Sequence, residues 1–308
     1  MAIACGSLRA ALSVALSLAA PLAPAQDGAA LMNDVKTLSS PAFAGRFTGT
    51  DGNRAAQAYI AQRFQQIGVK PFGARYAMPF PFKAGTTQTQ GVNLIGHLRG
   101  SRYPERYLVV SAHYDHLGER NGKIYAGADD NASGVAAMLA VAAWFKRHPP
   151  ENTIVFAAFD AEEHNKQGAR HFVRTPPFPI TKVALNLNFD MVSRNDRNEL
   201  YVAGTHHRPH LRALVAAGAR GSSVNVKLGH DNRAAVRAPE DDWTTQSDHA
   251  AFHEVGIAFL YFGVEDYPDY HQPSDTFEKI DGAFFASVTR LLIRMATIAD
   301  QNLHQVRK

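Results

Sequence analysis

From Tyr107 onward, short apolar runs alternate with longer stretches of helical spacing, a pattern that predicts parallel strands joined by crossover helices. Strands are expected over 92–98, 107–112, 153–159, 183–189, 199–203 and 257–262, and helices over 132–147, 165–174, 208–219, 247–255 and 280–303. Upstream, 31–39 and 53–68 also carry helical periodicity. In the second of these, Ala55, Tyr59, Ile60, Phe64 and Ile67 share a face, and Gly68 supplies a stop. The intervening 45–52 reads as a loop. No internal repeat, low-complexity segment or second linker breaks the pattern, and the polar stretch 229–246 is long enough to be a functional loop. The expected fold is α/β: a single doubly wound domain with a mostly parallel central sheet and helices on both faces.

Composition adds three constraints. With 45% apolar and 19% charged residues over 308 positions, the chain is long enough to bury a core without disulfides or a structural metal, so any metal is there for chemistry. The net charge is +4, but the basic residues are scattered and not grouped in runs with interleaved aromatics, so nucleic-acid binding is not expected. In residues 1–25, Arg9 precedes an Ala/Leu run through Ala20, and Ala23-Pro24-Ala25 offers small residues for cleavage. The segment reads as a signal peptide; it is shorter and less hydrophobic than a membrane anchor of roughly 20 residues. The expectation is an exported chain, periplasmic or secreted, with 26–308 as its folded domain and no membrane attachment in the mature form. The single cysteine, Cys5, falls in the leader, so the mature chain has none.

Doubly wound sheets bind ligands beyond the carboxyl ends of their strands, and four strand ends here carry ligand-type residues. The first runs from Tyr107 to His116. If strand geometry continues, His113 and Asp115 project to one side, so that the carboxylate accepts the imidazole N–H and frees the other ring nitrogen for a metal. The second, Gly127-Ala128-Asp129-Asp130-Asn131-Ala132-Ser133-Gly134, is a glycine-bounded turn entering an Ala-rich helix. There Asn131 or Asp130 would serve as a helix cap, with one further carboxylate left over. In the third, the apolar 156–159 runs into Asp160, Glu162 and Glu163; in the fourth, 183–189 ends at Asp190. Each alone also reads as an ordinary cap, turn or hydrogen-bonded pair, as does His271. Together, carboxylates gathered at a desolvated edge repel one another unless cations neutralise them. Four charges on Asp130, Glu162, Glu163 and Asp190 are offset by two divalent ions. Nitrogen and oxygen donors without thiolate favour zinc, with cobalt or manganese fitting similar sites.

These motifs resemble the zinc-dependent aminopeptidases of the M28 class. The resemblance runs through Gly45-Arg46, Thr48-Gly49-Thr50, Asn93-Leu94-Ile95-Gly96, His113-Tyr114-Asp115, Gly127 to Gly134, Ala161-Glu162-Glu163, Asp190-Met191, Ser247-Asp248-His249, and His271 with Asp275-Thr276. It implies a zinc exopeptidase-like peptidase domain over 26–308 that removes amino-terminal residues from peptide substrates. By the same resemblance, His113 and Asp190 hold one zinc, Glu163 and His271 the other, and Asp130 bridges them. Glu162 is implied as general base, Asp115 as the residue orienting His113, Asp129 as shaping its turn, and Tyr270 as polarising the scissile carbonyl.

The family commonly has Gly-Leu and then Gly-Ser after the paired glutamates, where this chain has Asn165-Lys166 and Gly168-Ala169. That departure bears on the wall beside the site and on side-chain preference. Phe262, Tyr267, Tyr270 and Trp243 are either pocket lining or packing. Two competing readings keep the fold but change the function: a glutaminyl-cyclase-like acyltransferase with a single zinc, and a non-catalytic binding module. The intact His113 and Asp190 argue against the first, and retention of all five ligand positions together with Glu162 argues against the second.

Overall fold

The computed structural model describes residues 25–306; the expected leader, except for its last residue, lies outside them. Helices α1 (Ala25–Leu38) and α2 (Asp51–Ile67) come first. α2 begins where the Thr50 side chain accepts the Asn53 amide and ends at Gly68, whose φ of 91° suits a residue without a β-carbon. Next come β1 (Lys70–Pro71), β2 (Ala77–Ala84), β3 (Thr87–Leu98), β4 (Tyr103–His113) and a short hairpin, β5 (Gly118–Arg120) and β6 (Lys123–Tyr125). After α3 (Gly134–Arg147) the order is β7 (Asn152–Phe159), α4 (Gln167–Arg174), β8 (Val183–Phe189), β9 (Glu199–Ala203), α5 (Leu211–Ala219) and β10 (Asn225–Leu228). The chain closes with α6 (His249–Glu254), β11 (Ala258–Gly263), α7 (Gly282–Gln301) and α8 (Leu303–Val306).

The main sheet runs β1-β3-β7-β4-β8-β11-β9-β10, with β2 paired to β3. Its centre, β7-β4-β8-β11, is parallel as expected, with helices on both faces. Antiparallel strands extend that centre on each side: β3 is antiparallel to β7 and to β2, and β9 is antiparallel to β11, so the sheet as a whole is mixed. Both additions have local causes. β2 and β3 are joined across Gly85-Thr86, a connection too short for anything but a hairpin. β9 follows β8 after a stretch without a helix, and a parallel neighbour needs a longer crossover. β2 escaped the sequence pattern because Pro79 and Pro81 alternate with the buried Phe80 and Phe82, an arrangement that only an edge strand accommodates.

Burial on both faces explains the continuous apolar runs. Leu108, Val110, Ala112, Ile154, Phe156 and Ala158 face α1, α2, α3 and α7; Val109, Val155, Ala157 and Phe159 face Phe172 of α4 and Phe252 of α6. Polar residues inside these strands pair among themselves. Ser111 Oγ donates to Asn188 Oδ1 at 2.7 Å and accepts from Asn186 Nδ2 at 2.8 Å, while Asn188 Nδ2 donates to Ser247 Oγ at 2.9 Å. α7 turns an apolar face inward along its length and packs Phe285, Val288, Leu292 and Met295 into the core. Because β7, β4, β8 and β11 are parallel neighbours, their carboxyl ends share one edge, where the residues after His113, Phe159, Phe189 and Gly263 meet.

Candidate metal centre

The Asp130 carboxylate is the hinge of the arrangement at that edge. Its Oδ1 lies 3.3 Å from His113 Nε2, and the same nitrogen lies 3.3 Å from Asp190 Oδ1. Its Oδ2 lies 3.1 Å from His271 Nε2, which is in turn 3.6 Å from Glu163 Oε2. The two oxygens thus face two separate donor sets. Zn–N and Zn–O bonds of about 2.0–2.2 Å in a tetrahedron space donor atoms roughly 3.3–3.5 Å apart, so these nitrogen and oxygen donors fit zinc by chemistry and by spacing. The structure brings together His113, Asp130, Glu163, Asp190 and His271.

The turn carrying Asp130 is held from three directions. Asp275 accepts the main-chain N–H groups of Asp129 (3.0 Å) and Asp130 (3.1 Å). Asp129 Oδ1 accepts both Ser193 N–H (2.8 Å) and Ser193 Oγ–H (2.6 Å), and its Oδ2 accepts Tyr267 O–H (2.9 Å). Asn131, expected as a cap, accepts the Gly134 amide at 2.9 Å and donates to Phe189 O. Beneath the turn lies Arg46, wholly buried, whose guanidinium donates to the carbonyls of Leu38, Tyr114, Ala126 and Gly127 at 2.6–2.8 Å. The loop read over 45–52 is therefore partly a structural plug.

Asp115 sits where expected but bonds differently. The His113 Nδ1–H donates to the Asp115 main-chain carbonyl at 3.1 Å, whereas the Asp115 carboxylate is 3.8 Å away. That carboxylate instead accepts the amides of Glu162 (3.0 Å) and Glu163 (3.3 Å), tying the paired glutamates to the end of β4. Asp160 is absorbed into a similar clasp: it accepts from Thr48 Oγ, Asn53 Nδ2 and the amides of Val92 and Ala161. The departure at Asn165-Lys166 leaves a backbone with left-handed φ of 67° and 58°, a region that asparagine tolerates better than most residues. A β-carbon at Gly168 would come within 2.2 Å of Asp160 O, so that glycine is required by close approach.

The electrostatics are those of a desolvated acidic cluster. Burial raises the Glu162 carboxyl well above its usual range, with Asp248, Glu163 and Asp190 adding to the effect against His113. Burial acts the same way on Asp130, but His116, His113 and His271 outweigh it and hold Asp130 well below the carboxylate range. For His113, burial opposes charging, yet Asp190 and the contacts with Asp130 raise its pKa well above normal. The acids thus pull His113 and His271 toward their protonated forms, a role that divalent cations would otherwise fill by balancing the negative charge.

Sequence reasoning missed His116. It is wholly buried, its Nδ1 is 2.8 Å from Glu163 Oε1 and 3.7 Å from Asp130 Oδ2, and only its place in the His113–His116 run hinted at a role. Asp248, fully buried with neither carboxylate oxygen hydrogen-bonded, was likewise unassigned; burial lifts its pKa to about 7. Of the aromatic residues, Phe262 is core against Phe189, and Tyr267 is engaged with Asp129. Tyr270 stacks on His271 with ring centroids 3.9 Å apart, and Trp243 stacks on His230 within the 229–246 loop.

The comparisons with known proteins agree with this geometry. The chain is 32% identical over 209 residues to aminopeptidase YwaD of Bacillus subtilis, a match covering 64% of this chain and 42% of that protein. A Zn-dependent exopeptidase from Parabacteroides distasonis superposes with a TM-score of 0.71 at 18% identity, covering 90% of this chain and 99% of that one. A glutaminyl cyclase from Bacteroides thetaiotaomicron superposes with a TM-score of 0.69, also at 18% identity, covering 88% and 98%, so both chemistries share the fold. The chain spans about half the length or less of the curated relatives it matches. The sequence model of peptidase family M28 matches residues 93–296, the stretch that holds all five clustered donors, and the chain belongs to that family.

Proposed function

We propose that this protein is an aminopeptidase that binds two zinc ions and hydrolyses the first peptide bond of its substrates. The observation that carries the reading is the pair of donor sets on opposite oxygens of Asp130: His113 with Asp190 on one side, Glu163 with His271 on the other. The name of the Bacillus subtilis relative supports the choice of exopeptidase. When bound, such ions act as Lewis acids and bring the pKa of water toward neutrality. Glu162, whose carboxyl is pushed upward by burial, takes a proton from the attacking water and returns it to the departing amine. The Asp115 carboxylate fixes the Glu162 main chain for this task. Tyr270, packed on His271 at the more open side of the centre, offers its hydroxyl to the carbonyl oxygen as charge develops there.

The test is metal content by mass spectrometry, together with hydrolysis of aminoacyl chromogenic substrates before and after chelation. Two zinc ions per chain and chelator-sensitive turnover are expected. Glu162→Ala should keep its metal and lose nearly all turnover, and a fully active Glu162→Ala enzyme would refute its assignment as base. A single metal per chain would favour the cyclase-like reading.

A further inference from the structure

We infer that His116 is a positioning residue. It donates its Nδ1–H to Glu163 Oε1, so that Glu163 offers a metal only one oxygen and the site it shares with His271 keeps an open coordination position. The inference rests on the two-metal reading above. At first sight His116 is a candidate ligand, because its Nδ1, Asp130 and Glu163 cluster closely enough to surround an ion. The spacing argues otherwise. His113 Nε2 sits 3.3 Å from each of its two acids, the separation of atoms that share a tetrahedral zinc, and His271 Nε2 sits 3.1 and 3.6 Å from its two, on either side of that spacing. His116 Nδ1 is 2.8 Å from Glu163 Oε1, a hydrogen-bond distance too short for two donors of one tetrahedral ion, and 3.7 Å from Asp130 Oδ2.

The tautomer points the same way. A histidine that binds metal through one nitrogen almost always donates the other N–H to an acceptor, as His113 does to the Asp115 carbonyl. His116 Nε2 is buried with no hydrogen-bond partner, so ligation through Nδ1 would strand an N–H inside the protein. With the proton on Nδ1, the only N–H of the ring is satisfied by a carboxylate, and the nitrogen has no lone pair left for a metal. The ring packs closely against Gly127, where a β-carbon would fall 2.6 Å from His116 Cγ and Cδ2. Glu163 is thereby divided, Oε1 to His116 and Oε2 to the side shared with His271 and Asp130. Three protein donors leave a fourth position open, which a catalytic zinc needs and a fully ligated one lacks.

Asparagine separates the two roles, because its amide N–H can stand where the imidazole Nδ1–H stands but its neutral carbonyl is a poor zinc ligand. We would measure both zinc dissociation constants by chelator competition, and the d–d absorption of the cobalt-loaded protein, for the wild type, His116→Ala and His116→Asn. His116→Ala should weaken one of the two metals roughly 10–100-fold, the usual cost of removing a partner that orients a ligand. His116→Asn should restore most of that affinity, with an unchanged cobalt spectrum. Equal loss in both variants, with a spectrum shifted in each, would make His116 a ligand and overturn the proposal. Unchanged affinity in His116→Ala would overturn it too. If His116→Ala fails to fold, the asparagine variant decides alone: weakened metal binding in it overturns the proposal. A wild-type protein that binds fewer than two metals would instead sink the functional reading.

Discussion

Replacing Arg46 by lysine measures how much of the metal centre's support depends on one buried guanidinium. The side chain has no exposed surface, and its pKa, lowered to about 10 by burial against the pull of Asp130, Asp275, Asp115 and Glu163, leaves it charged at neutral pH. It joins the end of α1, the residue after His113, and the approach to the Asp130 turn through four carbonyls. A lysine keeps the charge but presents three N–H groups from one point in place of a planar fork. At about 1.5–3 kcal/mol per hydrogen bond to a charged group, losing one or two of the four costs about 3 kcal/mol, or roughly 5 °C in unfolding temperature for a domain of this size. The assay is denaturant and thermal unfolding of the metal-free protein followed by circular dichroism, so that metal binding does not mask the effect. A loss below about 1 kcal/mol would refute the reasoning, because it would mean that a point charge satisfies the same four carbonyls.

Two further predictions address the centre and the loop beside it. Asp130→Ala should abolish binding of both zinc ions, since each oxygen of that carboxylate serves a different set; retention of one tightly held ion in a metal titration would contradict the bridging role. His249, buried and lowered to about 3 by desolvation, should weaken the metal-free fold as pH falls. Its folded pKa lies below the unfolded value near 6.5, so the unfolded chain takes the proton first, and stability drops from about pH 6.5 toward pH 3 by up to roughly 5 kcal/mol from this group. His249→Gln should flatten that part of the stability profile, and an unchanged acid slope in urea unfolding would argue against it.

The fold was largely legible because β7 and β8 are buried from end to end and mostly apolar, and the helices along the chain carry regular periodicity. The strand ends alone bring His113, Glu163 and Asp190 to one edge, since residues that end parallel neighbours must share it. His271 was harder. It lies in an irregular segment after β11, and its position against Asp130 depends on Tyr267 bonding to Asp129 and on Asp275 capping the turn, contacts across 138 and 146 residues of chain. The proline-interrupted β2 and the antiparallel pairing of β9 were not legible either, because periodicity carries no information about pairing partners.

What the sequence alone determined, then, is which residues end the parallel strands and so which acids and imidazoles reach the common edge; that follows from local period and burial. Only the tertiary structure decided how those groups divide their atoms. The two oxygens of Asp130 face opposite sides, the Asp115 carboxylate turns to the Glu162 and Glu163 amides and away from the imidazole, and His116 claims one oxygen of Glu163. The reason is geometric. Which lone pair a carboxylate or ring nitrogen offers is set within fractions of an ångström by neighbours distant in the chain, and no spacing along the sequence encodes it.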